Sequence, residues 1–249
     1  MKNQALITVI TVVFNGEDHI ARTIESVLDQ SYKNIEYLIV DGKSTDRTLE
    51  IVGSYKGVDR VISEPDSGLY DAMNKGLKAA TGEYVWFLNS GDQIYSKDTV
   101  ELMVAGLNGT PDIIYGGTMI IDEEQNEVGD RRLKPPARLT WKSFRQGMVV
   151  CHQSILVRKV LAPEFNLEYR LSADIDWAIR AARGAGQIHN SNLVLSRFLE
   201  GGLTSSNIKA GLKERFKIMR QFYGLMPTIF RHFGFGFRLT NFYLKNRRI

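Results

Sequence analysis

Apolar and polar positions follow one another in blocks along the first hundred residues of the chain. Residues 6–14 and 35–40 are continuous apolar runs rich in β-branched side chains, which is typical of strands buried on both faces of a sheet. Between these two runs, an apolar stripe recurs at helical spacing, at Ile20, Ile24, Val27 and Leu28. The pattern therefore predicts a strand, a helix and a second strand.

The alternation continues with strand patterns at residues 60–63 and 83–88 and a helix pattern at 70–80 between them. Repeated strand–helix units predict an α/β fold with a mostly parallel sheet and helices on both faces. Ligands in such sheets bind beyond the carboxyl ends of the strands. Asn15, Asp41 and residues 89–92 follow predicted strands, so we expect them at that edge.

The middle of the chain has a less regular pattern. Two short strands are predicted at 112–115 and 118–121, on either side of Gly116-Gly117. The polar stretch 122–138 contains Pro135-Pro136 and predicts a surface loop. Residues 172–183 then predict a helix.

The composition is that of a globular protein, with 43% hydrophobic and 24% charged residues in a chain of 249. This length allows one large domain with a small appendage. The single cysteine, Cys151, excludes an internal disulfide. Neither a signal peptide nor a run of 18 apolar residues is recognisable, so we expect a cytoplasmic protein.

The net charge of +4 is unevenly distributed along the chain. Residues 207–249 contain ten basic residues and one acid, a net charge of +9, whereas residues 1–206 contain 22 basic and 27 acidic residues, a net charge of −5. The division predicts a main domain at 1–206 and a basic tail at 207–249.

Candidate chemistry rests on carboxylates at strand ends, because several common motifs are missing. The sequence has no Gly-Lys-Ser/Thr phosphate loop, no Gly-x-Gly-x-x-Gly motif and no Cys/His cluster with zinc spacing. Asp41 ends the second predicted strand, where it can accept a hydrogen bond from a nucleobase or ribose. The alternative is that Asp41 only begins a turn with Gly42.

Four blocks of the sequence carry a resemblance to a known family. Residues 10–32, 38–48 and 82–92 (GEYVWFLNSGD) resemble family 2 glycosyltransferases of the GT-A fold. Residues 63–76 (SEPDSGLYDAMNKG) are similar to the members that build exopolysaccharides, such as colanic-acid-type enzymes. The resemblance extends over residues 5–205 and implies an inverting glycosyltransferase with a UDP- or GDP-sugar donor.

The resemblance implies a nucleotide site built from four segments. Its predicted residues are Thr11, Val12, Val13 and Asn15 at the end of the first strand, Asp41, then Asp71, Asn74 and Lys75 on one helix, and Asn89. A surface ion pair between Asp71 and Lys75 is the alternative for that helix. The family usually has a second aspartate where Gly42 stands, and that residue often contacts uracil.

The segment Asn89-Ser90-Gly91-Asp92 stands where the family has its Asp-x-Asp metal motif. Only Asp92 keeps a carboxylate, and we expect it to hold Mn²⁺ or Mg²⁺ together with the diphosphate oxygens. The alternative is that Gly91-Asp92 is only a turn.

Residues 170–180 (RLSADIDWAIR) resemble the acidic block that opens the family's acceptor-site helix. The resemblance assigns the general base to Asp174 and acceptor contacts to His152 and Trp177. The alternatives are that the aspartates only cap a helix and that His152 is a buried core residue.

The basic tail begins with an amphipathic stripe at Ile208, Leu212, Phe216, Met219 and Tyr223. Basic and aromatic residues on such a helix favour contact with an anionic membrane surface, where a polyprenyl-linked glycan acceptor would be found. A packed or homodimerising helix pair is one alternative, and nucleic acid is a weaker one.

We therefore expect a transferase at the inner face of the plasma membrane. A catalytically degenerate scaffold protein and a nucleotidyltransferase are its rivals.

Overall fold

The apolar run near the start of the chain forms β1 (Ile7–Val13), in which every residue is buried. Its side chains alternate between two cores, with Ile10 and Val12 on one face of the sheet and Val9 and Val13 on the other. In the computed structural model, which describes residues 5–201 and 207–231, β1 lies inside a nine-stranded sheet. The expected α/β architecture with helices on both faces is confirmed.

The other elements follow in chain order. They are α1 (Ile20–Leu28), β2 (Ile35–Asp41), α2 (Thr48–Gly53), β3 (Arg60–Ser63), α3 (Leu69–Ala79), β4 (Tyr84–Asn89), β5 (Gln93–Ile94), α4 (Thr99–Ala105), β6 (Ile113–Ile121), β7 (Glu127–Asp130), β8 (Ile155–Arg158), α5 (Ala173–Gly184), β9 (Ile188–Leu199) and α6 (Ile208–Tyr223). Short 3₁₀ turns lie at Trp141–Gln146, His152–Ser154 and Lys159–Leu161.

The strand order is β3–β2–β1–β4–β8–β6–β9–β5, with β7 paired to β6. Strands β3, β2, β1 and β4 are mutually parallel, as the strand–helix alternation predicts. Strand β8 is antiparallel to both β4 and β6, so the sheet is mixed beyond β4. The register places Asp41 opposite Val13 and Ser63, and Asn89 opposite Val12, which brings these residues to one edge.

The middle of the chain differs from its predicted form. Strand β6 runs without a break through Gly116-Gly117, where two separate strands were expected. A Cβ on Gly116 would lie 2.5 Å from the carbonyl oxygen of Leu193, so glycine is needed for β9 to approach here. The register between β6 and β9 shifts at the same place. The expected loop at 122–138 also contains β7, which forms a hairpin with β6.

A second close approach occurs at Gly82, just before β4. A Cβ there would lie 2.7 Å from the backbone nitrogen of Thr8 and 2.8 Å from the carbonyl oxygen of Leu6. We expect Gly82→Ala to lower the free energy of unfolding by about 1–3 kcal/mol, because the backbone of the neighbouring strand must move. Urea denaturation measures the loss. Gly53→Ala is the control, since a Cβ on Gly53 meets no atom within 4 Å and should leave stability unchanged or slightly raised.

The first helix of the basic tail, α6, packs on the main domain. Ile218 and Met219 are buried in the core, where α6 packs beside α5, and Tyr223 stacks on Trp141 with 5.5 Å between ring centroids. The Tyr223 hydroxyl donates a hydrogen bond of 2.6 Å to the Trp141 carbonyl oxygen. For α6, the packing alternative is therefore the one observed.

A short helix at 225–231 follows α6 and exposes Leu225, Met226 and Phe230. Of the helices among residues 5–201 and 207–231, none has the length and apolar character needed to cross a bilayer. The remainder of the predicted membrane-contacting segment, including Phe233, Phe237 and Phe242, lies outside the described residues, as do residues 202–206.

Candidate active site

Asp41 lies at the carboxyl end of β2 and is completely buried. Its carboxylate accepts a hydrogen bond of 2.6 Å from Ser63 Oγ at the end of β3. It also accepts the backbone N–H of Ser44 at 3.1 Å. Asp41 thus joins the ends of two strands to the loop that follows β2, at the edge where a nucleotide site is expected.

Asn15 joins the loop after β1 to the loop after β2. Its backbone adopts a positive φ of 48°, and its Oδ1 accepts the N–H of Thr45 at 2.9 Å. Its own N–H donates to Ser44 Oγ at 2.8 Å. The side chain therefore organises the edge of the sheet, and direct contact with a nucleotide stays a prediction.

The three residues before this loop lie deeper than expected. Thr11 is fully buried, and its hydroxyl is 3.0 Å from the Tyr37 hydroxyl inside the sheet. The carbonyl oxygens of Val12 and Val13 accept N–H groups from Ser90 and Gly42. Thr11, Val12 and Val13 thus belong to the ladder of a central strand, and their contact with a nucleobase stays a prediction.

Gly42 is in contact with a residue that sequence reasoning missed. A Cβ on Gly42 would overlap Asp66 Oδ2, so the carboxylate of Asp66 occupies the space beside Gly42. Asp66 belongs to the loop between β3 and α3, and its Oδ1 accepts the N–H of Gly68 at 2.9 Å. Asp66 thus places a carboxylate close to where the resemblance expects the second aspartate.

The predicted residues of α3 are occupied by contacts within the protein. Asn74 forms two hydrogen bonds with the backbone of Phe165, at 2.7 and 3.0 Å. Lys75 Nζ donates to the carbonyl oxygen of Pro65 at 2.6 Å and lies 3.8 Å from Asp71. Asn74 is therefore a structural clamp, which corrects its assignment to the nucleotide, and Asp71 and Lys75 form the ion pair that was their alternative.

Asp92 follows β4 and is almost completely buried. Its Oδ2 accepts a hydrogen bond of 2.8 Å from Gln153 Nε2, and its Oδ1 accepts the N–H of Leu199 at 3.3 Å. Burial raises the pKa of Asp92 to about 6, although the Gln153 hydrogen bond and the charge of His152 act in the opposite direction. Both carboxylate oxygens thus already have a protein donor.

The donor set near Asp92 decides what kind of metal site fits. Asn89 Oδ1 is a buried acceptor with no partner among the described residues, and amide and carboxylate oxygens suit Mg²⁺ and Mn²⁺. Among the same residues, no group of three His, Cys, Asp or Glu side chains is placed to hold a metal. The residues fit a cation that arrives with the diphosphate and do not fit one held by the protein alone.

Asp174 opens α5, and its side chain is 22% exposed. Oδ1 accepts hydrogen bonds from the N–H of Ile175 at 2.9 Å and from the Tyr70 hydroxyl at 3.4 Å, and Oδ2 lies 3.7 Å from His152 Nδ1. Burial on its own raises the pKa of Asp174, but His152, the charge of Arg215 and the Ile175 N–H outweigh it. The pKa lies below its usual value, so the carboxylate is ionised at neutral pH.

The turn His152–Ser154 connects the two carboxylates. His152 lies beside Asp174, and Gln153 donates to Asp92, so consecutive residues contact the two predicted active residues. His152 Nε2 is buried and has no partner within the described residues. An unpaired imidazole nitrogen here fits a hydrogen bond to a bound sugar.

Trp177 lies in the core and does not reach this site. Its ring is completely buried, stacks on Phe165 at 5.1 Å and meets Phe87 edge-on at 5.8 Å. The expected acceptor contact is therefore corrected. The burial of Trp177 could have been predicted from the sequence, because Ala173, Trp177 and Ala181 recur at i, i+4 and i+8, the spacing of a buried helix stripe.

The chain matches the sequence model of the family described as Glycosyl transferase family 2 over residues 8–162. The chain belongs to this family. An uncharacterised glycosyltransferase of Mycobacterium tuberculosis is 31% identical over 99% of this chain and 93% of the relative. A PGL/p-HBAD biosynthesis glycosyltransferase of Mycobacterium bovis is 30% identical over 81% of this chain and 80% of its own length.

Solved structures of other glycosyltransferases share the fold of this family 2 glycosyltransferase. The first 349 residues of Staphylococcus aureus TarS, in complex with UDP-GlcNAc, superpose with a TM-score of 0.73, at 22% identity and covering 96% of this chain and 76% of that one. The mannosyltransferase PcManGT of Pyrobaculum calidifontis, in complex with GDP-Man and Mn²⁺, gives a TM-score of 0.62 at 16% identity, covering 86% and 63%. The expected GT-A fold is confirmed.

The charge of Arg215 near Asp174 makes the pH dependence of this glycosyltransferase testable. Removing the cation in Arg215→Gln favours the protonated form of Asp174 and raises its pKa. We expect the acid limb of the pH profile of kcat/KM to move to higher pH. Arg220→Gln, which removes the same charge from an exposed position on α6, should leave that limb in place. An acid limb that stays fixed in Arg215→Gln would show that another group controls it.

Proposed function

We propose that the chain transfers a sugar from a nucleoside diphosphate sugar to a hydroxyl of a bacterial glycan, with inversion at the anomeric carbon. The observation that carries this proposal is the position of Asp174. It is an ionised, partly exposed carboxylate at the start of α5, linked through His152 and Gln153 to Asp92 after β4. An inverting transfer needs one such base beside the acceptor hydroxyl.

In the proposed reaction, the acceptor oxygen attacks the anomeric carbon while the bond to the diphosphate breaks. The electron pair of that bond leaves with the diphosphate, and the acceptor proton passes to Asp174. Tyr70 and His152 hold the Asp174 carboxylate, and the N–H of Ile175 at the helix N-terminus favours its ionised form. The unpaired Nε2 of His152 binds an acceptor hydroxyl.

The donor occupies the edge formed by Asn15, Asp41, Asp66 and Asn89. That TarS and PcManGT are described with UDP-GlcNAc and GDP-Man supports a nucleotide sugar as donor. A divalent cation, Mn²⁺ or Mg²⁺, would neutralise charge on the departing diphosphate. Asn89 and Asp92 are the residues that would face it, with most ligands coming from the diphosphate.

The acceptor is proposed to be a lipid-linked glycan of exopolysaccharide or cell-wall type. A putative teichuronic acid biosynthesis glycosyltransferase of Bacillus subtilis is 44% identical over 39% of this chain and 39% of its own length, and a second relative is described for PGL/p-HBAD biosynthesis. The net charge of +9 in residues 207–249 supports peripheral contact with the inner face of the plasma membrane.

Product analysis tests the proposed reaction directly. Full-length protein is incubated with a panel of UDP- and GDP-sugars, Mn²⁺ or Mg²⁺ and a crude lipid-linked glycan fraction, and the released nucleotide is identified by chromatography. Release of nucleoside diphosphate is the expected result. Release of pyrophosphate would identify a nucleotidyltransferase instead. Donor binding by calorimetry without turnover, with every donor and metal, would favour the scaffold protein.

A further inference from the structure

A cavity of about 240 Å³ lies between the β6–β7 hairpin, the segment at 145–148, α6 and the helix at 225–231. Five arginines line it: Arg131, Arg132, Arg145, Arg215 and Arg231. Among the described residues that line the cavity, none carries a carboxylate. The described lining therefore contains basic side chains and no acidic one, a composition that favours an anion inside the cavity.

Arg131 and Arg145 contact neutral groups. Arg131 Nη1 donates to the carbonyl oxygen of Met148 at 3.1 Å. The Arg145 guanidinium lies 5.1 Å from the ring centroid of Tyr223, and its Nε is buried without a partner in the described part of the chain. These contacts orient the guanidinium groups of Arg131 and Arg145, and neither group forms an ion pair with a described residue.

Arginine is suited to phosphate because its planar guanidinium donates two parallel hydrogen bonds to phosphate oxygens. Most of the other lining residues are apolar, with Ile120, Leu133, Leu212 and Met219 among them. The adjoining helix at 225–231 exposes Leu225, Met226 and Phe230 to solvent. A ligand with an anionic group in the cavity and an apolar chain along the helix would match both the cavity and the helix surface.

The cavity also adjoins the proposed catalytic centre. Leu212 and Arg215 of α6 line the cavity, and the carbonyl oxygen of Gly211, next to Leu212, accepts a hydrogen bond of 3.3 Å from the hydroxyl of Ser172, two residues before Asp174. The charge of Arg215 also lowers the pKa of Asp174. Arg131 likewise acts electrostatically on Cys151, which precedes His152 in the chain. A ligand whose anionic group lies in the cavity would therefore have a neighbouring part within reach of Asp174.

We propose that this arginine-lined cavity binds the phosphate or diphosphate of a lipid-linked acceptor and so places the acceptor glycan beside Asp174. The proposal rests on the proposed function, because it assigns the cavity to the acceptor of that reaction. The lipid chain leaves along the exposed apolar side of the helix at 225–231. The occupant is a lipid phosphate, and binding of phospholipid head groups or of free phosphate is an alternative outcome of the test.

Calorimetry with full-length protein tests the cavity without any need for turnover. The probe is farnesyl diphosphate, compared with farnesol, inorganic diphosphate and phosphatidylglycerol vesicles. We expect farnesyl diphosphate to bind more tightly than either farnesol or inorganic diphosphate, and Arg145→Gln/Arg231→Gln to weaken it at least tenfold. The matched control, Lys209→Gln/Lys213→Gln, removes two exposed charges from α6 outside the cavity and should bind as the wild type does.

Equal weakening in both double variants would overturn the proposal and indicate a diffuse electrostatic surface, as would stronger binding to the vesicles than to farnesyl diphosphate. Equal affinity for inorganic diphosphate and farnesyl diphosphate would overturn the assignment to a lipid-linked acceptor, because it would show that the cavity recognises phosphate alone. Arg231→Gln alone, which leaves the stacking of Arg145 intact, should also weaken binding of farnesyl diphosphate. Circular dichroism checks that each variant is folded. Donor turnover is measured in a separate assay, so an absence of sugar transfer can be distinguished from an absence of binding in the cavity.

Discussion

Asp174→Asn is expected to lower kcat by about 10²–10⁴-fold, the range over which general bases contribute to catalysis. Asparagine keeps the size of the side chain and an oxygen that can accept the Ile175 N–H, so α5 should begin as before. The donor KM should change little, because a base that acts only in the transition state does not contribute to ground-state binding. Steady-state kinetics with a nucleoside diphosphate readout measures both parameters.

Asp176→Asn is the matched control on the same helix. Asp176 is buried and bonded to Arg180 at 2.7 Å, so the substitution should lower the free energy of unfolding by about 1–3 kcal/mol, as expected for a hydrogen bond to a charged group. Well below the unfolding temperature, its turnover should be close to that of the wild type. If Asp174→Asn kept more than one tenth of wild-type turnover, the base would have to be another residue.

The strands, and the polar residues that end them, were predictable because both depend on local patterns in the sequence. Continuous apolar runs gave β1, β2 and β4, and Asp41 and Asn89 lie at strand ends because the runs end there. The roles predicted for Asp92 and Asp174 came from the family resemblance. The connection between these two residues, through the turn at His152 and Gln153, becomes visible only when β8 is placed between β4 and β6.

The partners of the predicted residues were not predictable, because they come from distant parts of the chain. Asn74 was correctly placed on a helix, but its contact with the backbone of Phe165 spans 91 residues. Tyr70 reaches Asp174 across 104 residues. Amphipathic spacing in α6 indicated that one face is covered, but such a pattern does not say whether protein or membrane covers it.

Gly42→Asp is expected to weaken donor binding by about 10–100-fold, the equivalent of roughly 1–3 kcal/mol of overpacking and charge repulsion. The new side chain begins where Asp66 Oδ2 already lies, so two carboxylates would compete for one space at the nucleotide edge. The Asp66 side chain would have to move, and its carboxylate would lose its position relative to Asp41. Calorimetric titration with the nucleoside diphosphate of the preferred donor measures the loss.

The double variant Gly42→Asp/Asp66→Gly separates this explanation from simple damage to the fold. It returns one carboxylate to the same space from the other chain segment, so donor affinity should recover to within a few fold of the wild type. Gly42→Ala adds the overlap without the charge and should fall between the wild type and Gly42→Asp. A double variant no better than Gly42→Asp alone would mean that positions 42 and 66 are not coupled. Recovery would mean that Asp66 provides the acid that the family resemblance places one residue after Asp41, because the site needs a carboxylate at that point in space and not at that point in the chain.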